Sequence, residues 1–574
     1  MLGSLRPECL RVSLLVILAA AFLAACSPSK STHAPAAAIT GGSQFGAPPV
    51  TEAEPVDIYA KFHLPGLHDA PSGGLAVSLG KIHLLERART LGLSSQSGIK
   101  AWRAIDEEAR TSLAEMPAQG VAEVSFRGNR ASELNQMLSR SDVQGVRVDS
   151  RSITVDEPIA VSRSGLRLNL SGATVEGANS FPYALRIEGA HDVQLTGGTF
   201  HGGDSAVLVN HAQNVRISKI TIQGIGGAGI VITESRGVTV RGSSISGLKF
   251  ASITLGKGTT GSVVEHNRIE NNLGSSNWAG GVLLTDREVD LAANAVNMYG
   301  PGVYGGVPQD LARRTHPPSG NLIRSNELLR NQANGIYSDG GIRNAIVSNL
   351  IAGNAKEGIC LDNGSTSNVI AGNVVRRNGA RWGEPDTILQ LEMIGESGRM
   401  ADGTPTAKVP GISLDNALYN VVFDNNVVEN YGGGIKLVRS AIFNVIGLNT
   451  VRDDALGDSP RYHFFGIELG SAPGDPTTGG LDIVPSRGNL VFSNVIRGTH
   501  YAGVFFANGS DENDVFDNTV MDATHWALES VRPMANRTLN NLTNMPSRNI
   551  GPGVDPNLFV YGRAVMDEDL SARK

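Results

Sequence analysis

Cysteine is nearly missing from this chain: Cys9, Cys26 and Cys360 are the three in 574 residues. A disulfide framework of the kind that staples small secreted domains is therefore excluded. Aromatic residues make up 5% and charged residues 18%, and a net charge of −6 provides no basic footprint for a nucleic acid. The apolar run near the start, "VSLLVILAAAFLA", is too short for a comfortable transmembrane helix. Glycine, by contrast, is abundant at 69 residues, beside 41% hydrophobic residues. That balance suits an architecture of many tight corners with small aliphatic side chains pointing inward, and it disfavours a helical bundle.

Arg6 and Arg11 precede the apolar run, and "LAAC" closes it at Cys26. This is similar to the signal peptide of bacterial lipoproteins. The resemblance implies removal of residues 1–25, diacylglycerol on Cys26, and a protein anchored to a membrane without spanning it. Ser27, where an Asp would retain enterobacterial lipoproteins at the inner membrane, implies a cell-envelope lipoprotein of the outer membrane. The alternative is an uncleaved amphitropic helix. With Cys9 removed and Cys26 acylated, Cys360 stands alone and no intramolecular disulfide is possible. Residues 26–56, rich in Ala, Pro, Gly and Ser, read as a flexible tether. Residues 57–145 read as a partly helical N-terminal region, ending in the amphipathic stretch "ASELNQMLSR" at 131–140. A helix there would cover the open end of a sheet; a separate binding module is the other reading.

From residue 146 to 535 the chain repeats itself. Gly335-Ile336 and Gly358-Ile359, Asp339 and Asp362, and Asn349 and Asn373 recur at offsets of 23, 23 and 24 residues. Asn267, Asn326, Asn349, Asn373, Asn426, Asn449, Asn494 and Asn518 each precede an aliphatic pair or near-pair, at intervals of about one period, or of one to two periods plus an insertion. Stacked coils with occasional long loops produce such spacing, and an Asn on every rung can run an amide ladder parallel to the backbone ladder. Coincidence in an Asn-rich chain does not explain the fixed aliphatic neighbours.

The period, the Asn series and segments such as "GVTVRGSSIS", "SVVEHNRIEN" and "VVFDNNVVEN" resemble the right-handed parallel β-helix of pectate-lyase-like proteins. The resemblance implies an all-β fold, a single-stranded right-handed parallel β-helix (solenoid) with a short helical N-terminal region and cap, followed by a C-terminal cap or tail over 536–574. It is specific for fold and not for chemistry.

In such a fold the outward face of one sheet usually carries function. The series "GGVLLT", "GIYSD", "GICLD", "GISLD", "GIKLV", "GIELG" and "GVFFA" begins at Gly280, Gly335, Gly358, Gly411, Gly434, Gly466 and Gly503. Strand alternation points the Ile or Val and the residue two later inward. Tyr337, Cys360, Ser413, Lys436, Glu468 and Phe505 then form one outward column, and Asp339, Asp362 and Asp415 the next. Three carboxylates about 4.8 Å apart on successive rungs cannot all ionise cheaply without a cation or a raised pKa. Neighbouring rungs match the spacing of a retaining glycosidase pair, and rungs two apart approach the inverting range. Asp339, Asp362 and Asp415 equally suit calcium, a hard cation that takes oxygen ligands. The competing reading is that "DGG", "DNG" and "DNA" are turn chemistry, each Asp bonding its own backbone.

Two long insertions, after Leu284 and before Pro410, flank the same sheet and carry Tyr299, Tyr304 and Trp382. Together with Tyr337 these are candidate sugar-stacking rings. Among family chemistries, the ordered set of polygalacturonase-like hydrolases is present only as fragments, Asp453-Asp454 and "GIKLVR", and the Asp-Pro-His-Asp signature of bacterial mannuronan epimerases does not occur. The lyase scheme, which the resemblance implies in kind, would use Lys436 as base, Arg439 as partner of a uronate carboxylate, and the Asp column as metal site; Glu468, beside Lys436 in its column, is a further catalytic candidate. The expectation is a monomeric protein that binds and cleaves or modifies a polysaccharide as lyase or glycoside hydrolase, with no nucleic-acid partner. A non-catalytic periplasmic scaffold or carbohydrate-binding protein is the alternative.

Overall fold

A computed structural model describes residues 122–273, 280–286, 316–379, 397–399, 405–407, 409–454, 464–470, 486–498, 500–507, 510–530, 536–539 and 541–548. Strands of mostly three residues follow one another at corners and pair in parallel with their counterparts one coil later, apart from the antiparallel pair Ser397–Arg399 and Pro405–Ala407. The result is three long parallel sheets of 15, 14 and 13 strands, here sheets 1, 2 and 3 in the order the chain visits them. They begin with Val124–Phe126, Ser152–Thr154 and Ile159–Val161 respectively. The expected all-β parallel solenoid is thus observed. Its strands extend beyond the expected 146–535, from Val124 to Thr543. "VSF" near the start and "LT" near the end lack the Asn or Gly punctuation that marks the inner coils.

The short strand follows from the sequence. In "RIS", "TIQ" and "AIV" only the middle residue faces the core, so one Ile or Val per strand suffices, and Ile217, Ile222 and Ile346 are buried while most of their neighbours look outward. Strands of sheet 3 are longer and turn two residues inward, such as Ile230 with Ile232 and Ile359 with Leu361. The corner from sheet 1 to sheet 2 uses left-handed backbone in successive coils, at Gly197 with Gly198, then at Lys219, Gly242 and His266. Glycine adopts that conformation without a steric penalty, which accounts for part of its abundance. Another part lies at the start of the sheet 3 strands, where coils touch: a Cβ on Gly335 would fall 2.7 Å from the Gly358 carbonyl, and one on Gly358 2.9 Å from that of Gly411.

Asn349 and Asn373 are on neighbouring rungs as expected: the Asn349 backbone N–H and side-chain amide donate to Asn373 Oδ1 at 2.9 and 3.0 Å. The amide also donates to the Ile323 carbonyl at 3.0 Å. One member of the expected series is corrected. Asn425, not Asn426, bonds Asn373 and Asn449, while Asn426 opens the next strand and is exposed. In "NVV" and "NLI" the first aliphatic residue looks outward and tolerates a polar replacement, so "NNVV" misaligned by one. Two further ladders were not anticipated. One runs through Asn321, Asn344, Asn368, Asn420, Asn444, Asn489 and Asn513 between sheets 3 and 1. The other runs through Asn272, Asn331, Asn354, Asn378 and Asn430 to Asp454 between sheets 2 and 3. The Asp-Asp fragment is thereby explained: Asp454 is a fully buried ladder member whose backbone N–H donates to His500 Nε2 at 3.2 Å.

The helix expected at 131–140 is α1, Ala131–Leu138, and it closes the N-terminal end of the core with Ala131, Leu134 and Leu138. Its otherwise unpaired Ser132 N–H bonds Asp156 at 3.0 Å. The Asn135 amide accepts from the Ala160 N–H at 2.8 Å and donates to the Pro158 carbonyl at 2.9 Å, standing in for a neighbouring strand at the first edge of sheet 3. Among the described residues no helix is long and apolar enough to cross a membrane. The signal peptide, Cys26, the tether and the helices expected before residue 122 lie outside them.

Candidate functional site

The outward face of sheet 3 has the register read from the sequence. Tyr337, Cys360, Ser413, Lys436, Glu468 and Phe505 are successive partners along the sheet, and Asp339 pairs with Asp362 in the adjacent column. Asp415 ends the next strand, opposite Val438. For the first series member, register assigns the stacking glycine to Gly281 rather than Gly280, since Val282 pairs with Ile336.

The character of the face changes along the solenoid. In the coils before Tyr337 the outward column runs Arg186, Leu208, Val231, Thr254 and Leu283, and its three aliphatic members join Phe250 and Tyr183 in a buried cluster outside the solenoid wall. Tyr337 is the boundary. Its ring belongs to that cluster, and its hydroxyl donates to Asp362 Oδ2 at 2.9 Å. A buried ring with a committed hydroxyl positions a carboxyl; it does not offer a flat exposed surface to a sugar. The other candidate stacking residues, Trp382 and Tyr304, with Tyr299, lie outside the described residues.

Each carboxyl of the column is held by a different coil. Asp339, fully buried, accepts from Thr285 Oγ1 at 3.3 Å and from the Asn363 amide at 2.9 Å. Asp362 accepts from its own following backbone N–H, Asn363, at 2.6 Å as well as from Tyr337. Turn chemistry is therefore part of its environment and not the whole of it. Asp415 is gripped by Arg439 through two N–H donors, one at 2.6 Å from Nε. Arg439 is thus the counter-ion of a protein carboxylate one coil earlier. Lys436 Nζ lies 3.8 Å from Glu468 Oε2, a pair with both side chains mostly shielded.

Burial pushes the Asp362 carboxyl above the ordinary carboxylate range, opposed by the positive charge of Arg439, reinforced by the negative charge of Asp339, and opposed again by the bonds from Tyr337 and Asn363. Desolvation prevails because the ionised form would be stripped of water in a site already holding a second acid. These donors leave little for a metal. A guanidinium already neutralises Asp415, and among the described residues no group of three acidic, His or Cys side chains is arranged to hold an ion. Of the three carboxylates expected to suit calcium, Asp415 would have to give up Arg439 to join an ion that takes six to eight oxygen ligands. A groove of about 530 Å³ lies elsewhere, at the glycine-rich corner lined by Gly177, Gly203, Gly226 and Lys249.

The sequence model of a right handed beta helix region matches residues 158–305 and 318–520. The chain belongs to that family. No curated protein sequence matches this β-helix. Among solved structures it is similar to the A-module of a mannuronan C-5 epimerase of Azotobacter vinelandii, with 11% identity, 74% of this chain and 97% of that chain covered, and a TM-score of 0.39. It is also similar to the surface protein and adhesin PfbA of Streptococcus pneumoniae, with 13% identity, 75% and 99% coverage, and a TM-score of 0.39. At these identities the likeness is one of β-helix fold alone.

Proposed function

We propose that the outward face of sheet 3 binds a polysaccharide and cleaves it by carboxyl chemistry of the glycosidase type. The observation that carries this reading is the pairing of unlike carboxyls on neighbouring rungs. Asp362 is pushed toward its protonated form by burial, and Asp415, one coil on, is held as an ion pair by Arg439. Two acids driven apart by their surroundings are the recurring mark of an acid and its charged partner. In this scheme Asp362 gives its proton to the glycosidic oxygen as the bond to the anomeric carbon breaks. The Asp415 carboxylate, about 4.8 Å away by strand spacing, captures the anomeric carbon, and water, losing a proton to Asp362, then displaces it with net retention. Arg439 orients Asp415, while Tyr337 and Asn363 orient Asp362.

Elimination is less well supported, because its base, Lys436, is engaged by Glu468, and Arg439 is engaged by Asp415. One observation favours a second reading, a binding or scaffold role without turnover: Asp339 has no exposed surface and Asp362 and Asp415 only 7%. Parallel assays of reducing ends and of double-bond absorbance on a panel of polysaccharides separate the readings. Hydrolysis raises the first alone, elimination raises both, and a scaffold raises neither. The lipobox supports an anchor at Cys26 and a location in the cell envelope, at the outer membrane by the residue that follows.

A further inference from the structure

The outward side of sheet 1 is polar and positive over three of its coils. Gln194–Thr196, Arg216–Ser218 and Thr239–Arg241 are successive strands whose middle residues, Leu195, Ile217 and Val240, are buried. Alternation turns Arg216 and Arg241 outward among Gln194, Thr196, Ser218 and Thr239. The bordering turns add Lys219, in left-handed backbone, and Arg236, which bridges Gln213 and Thr260 in the coils on either side. Lys219 and Arg236 are exposed. Against these four cations the same strands and the turns next to them carry one carboxylate, Asp192, which His191 engages at 2.8 Å. Glu234, two residues before Arg236, lies 3.9 Å from Lys257, and Glu265, one coil on, is shared by Arg241 at 3.5 Å and Arg324 at 2.7 Å. Among the described residues no carboxylate lies within ion-pair distance of Arg216, Lys219 or Arg236. Signs alternate on sheet 2 instead, where Arg268 pairs with Glu270 at 2.9 Å and with Glu327 at 2.6 Å.

We infer that this face of sheet 1 docks on a bilayer surface bearing acidic phospholipids; the inference is separate from the glycan reading of sheet 3. Coils stacked about 4.8 Å apart put the patch within about 10 Å along the solenoid, close to the Debye length of about 8 Å at physiological ionic strength. The four cations therefore act together on a nearby surface, while charges on the other faces, which leave the chain with a net −6, are largely screened. Guanidinium forks match phosphate oxygens, and the hydroxyls of Thr196, Ser218 and Thr239 can donate between them. A sheet of three-residue strands with uncharged polar side chains between the cations is a platform, which suits a plane of headgroups better than one polymer strand, since single ligands are enclosed in concave sites. The lipid anchor proposed at Cys26 would bring the face to such a surface. Each basic residue near an acidic leaflet adds about fivefold to partitioning, so the patch orients a tethered protein without holding an untethered one for long. With sheet 1 against the bilayer, the carboxyl column of sheet 3 looks away from it.

The test uses the full chain with Cys26→Ser, so that no acyl group contributes, in co-sedimentation at low ionic strength with vesicles of phosphatidylcholine alone or mixed with phosphatidylglycerol. Binding to the mixed vesicles and none to the neutral ones is expected, and it should disappear at high salt. In the same background Lys219→Gln and Arg236→Gln should each weaken partitioning about fivefold. Arg377→Gln, at the corner after a sheet 2 strand and paired with Glu429, should leave it unchanged. Equal binding to both kinds of vesicle, or binding to neither, overturns the inference. So does binding that Lys219→Gln and Arg236→Gln weaken no more than Arg377→Gln, because net charge and not this face would then account for it. Retention in gels containing alginate that the same two variants lose, with no binding to the acidic vesicles, would overturn it by assigning the face to an acidic polymer. Failure leaves the glycan site and the anchor at Cys26 standing, since neither enters the measurement.

Discussion

Replacing Asp454 with Asn should make this protein more stable, and increasingly so as pH rises. The residue occupies the place of an Asn in the ladder between sheets 2 and 3. Its Oδ1 accepts from the Asn430 N–H at 3.0 Å and from the Asn430 amide at 2.6 Å, as an Asn oxygen would. Its Oδ2 stands where the earlier members carry an NH₂ group, and no hydrogen bond reaches it, with His500 Nε2 at 3.6 Å. One coil earlier the corresponding Asn430 amide donates to the Val375 carbonyl at 3.1 Å. An Asn at 454 restores such a donor, worth about 1 kcal/mol net. A second contribution depends on pH. Burial raises the Asp454 carboxyl above its ordinary range, against the pull of His500 and Asn430. The folded state therefore holds its proton after the unfolded chain has released it. The wild type has its full stability below the ordinary carboxylate range and loses part of it as pH rises toward the folded-state value. Asn does not titrate, so the advantage of Asp454→Asn grows from about pH 4 upward and levels off once the folded-state carboxyl has also ionised. Thermal unfolding followed by circular dichroism across that range measures it. A variant less stable at neutral pH, or an advantage that does not change with pH, refutes the reasoning.

Other expectations follow from the site and the leader. Tyr337→Phe removes a hydrogen bond that holds the Asp362 pKa down, so the alkaline limb of the pH–rate profile should move to higher pH, where loss of rate without movement would assign Tyr337 a packing role alone. Because Arg439 already neutralises Asp415, millimolar calcium or its chelation should leave the melting temperature and any turnover unchanged; a melting temperature that rises with calcium would show a site among these carboxylates. Cys26→Ser should move the protein from the membrane to the soluble fraction, and an unchanged distribution would remove the lipid anchor from the account.

The fold was legible because solenoid coils repeat their chemistry. A period of 23 or 24 residues with an Asn beside an inward aliphatic residue gives stacking and register together. Two of three ladders escaped notice, although Asn344, Asn349 and Asn354, or Asn368, Asn373 and Asn378, are spaced by five. That spacing is one corner Asn, three strand residues and one left-handed residue. It was obscured where Asp454 replaced Asn and where "NNVV" offered two candidates. Alternation assigned the outward columns correctly, since period two is a property of the backbone. Their partners could not be read, because Arg439 reaches Asp415 and Tyr337 reaches Asp362 across coils, at distances that rotamers decide. The same is true of burial: outward-facing Tyr337 and Cys360 are as enclosed as core residues.

The most direct test of the central claim is a single variant, Asp362→Asn, assayed for new reducing ends on the polysaccharide that the wild type cleaves. Asn keeps the volume of the side chain; its carbonyl oxygen can accept the Asn363 N–H, and its NH₂ group can donate to a Tyr337 hydroxyl turned to accept, so the melting temperature should stay close to that of the wild type. It has no proton to give to a leaving oxygen, so the rate should fall by about two orders of magnitude or more. A folded Asp362→Asn protein that releases reducing ends at the wild-type rate would contradict the account, and the acid of this β-helix would have to be sought on another face.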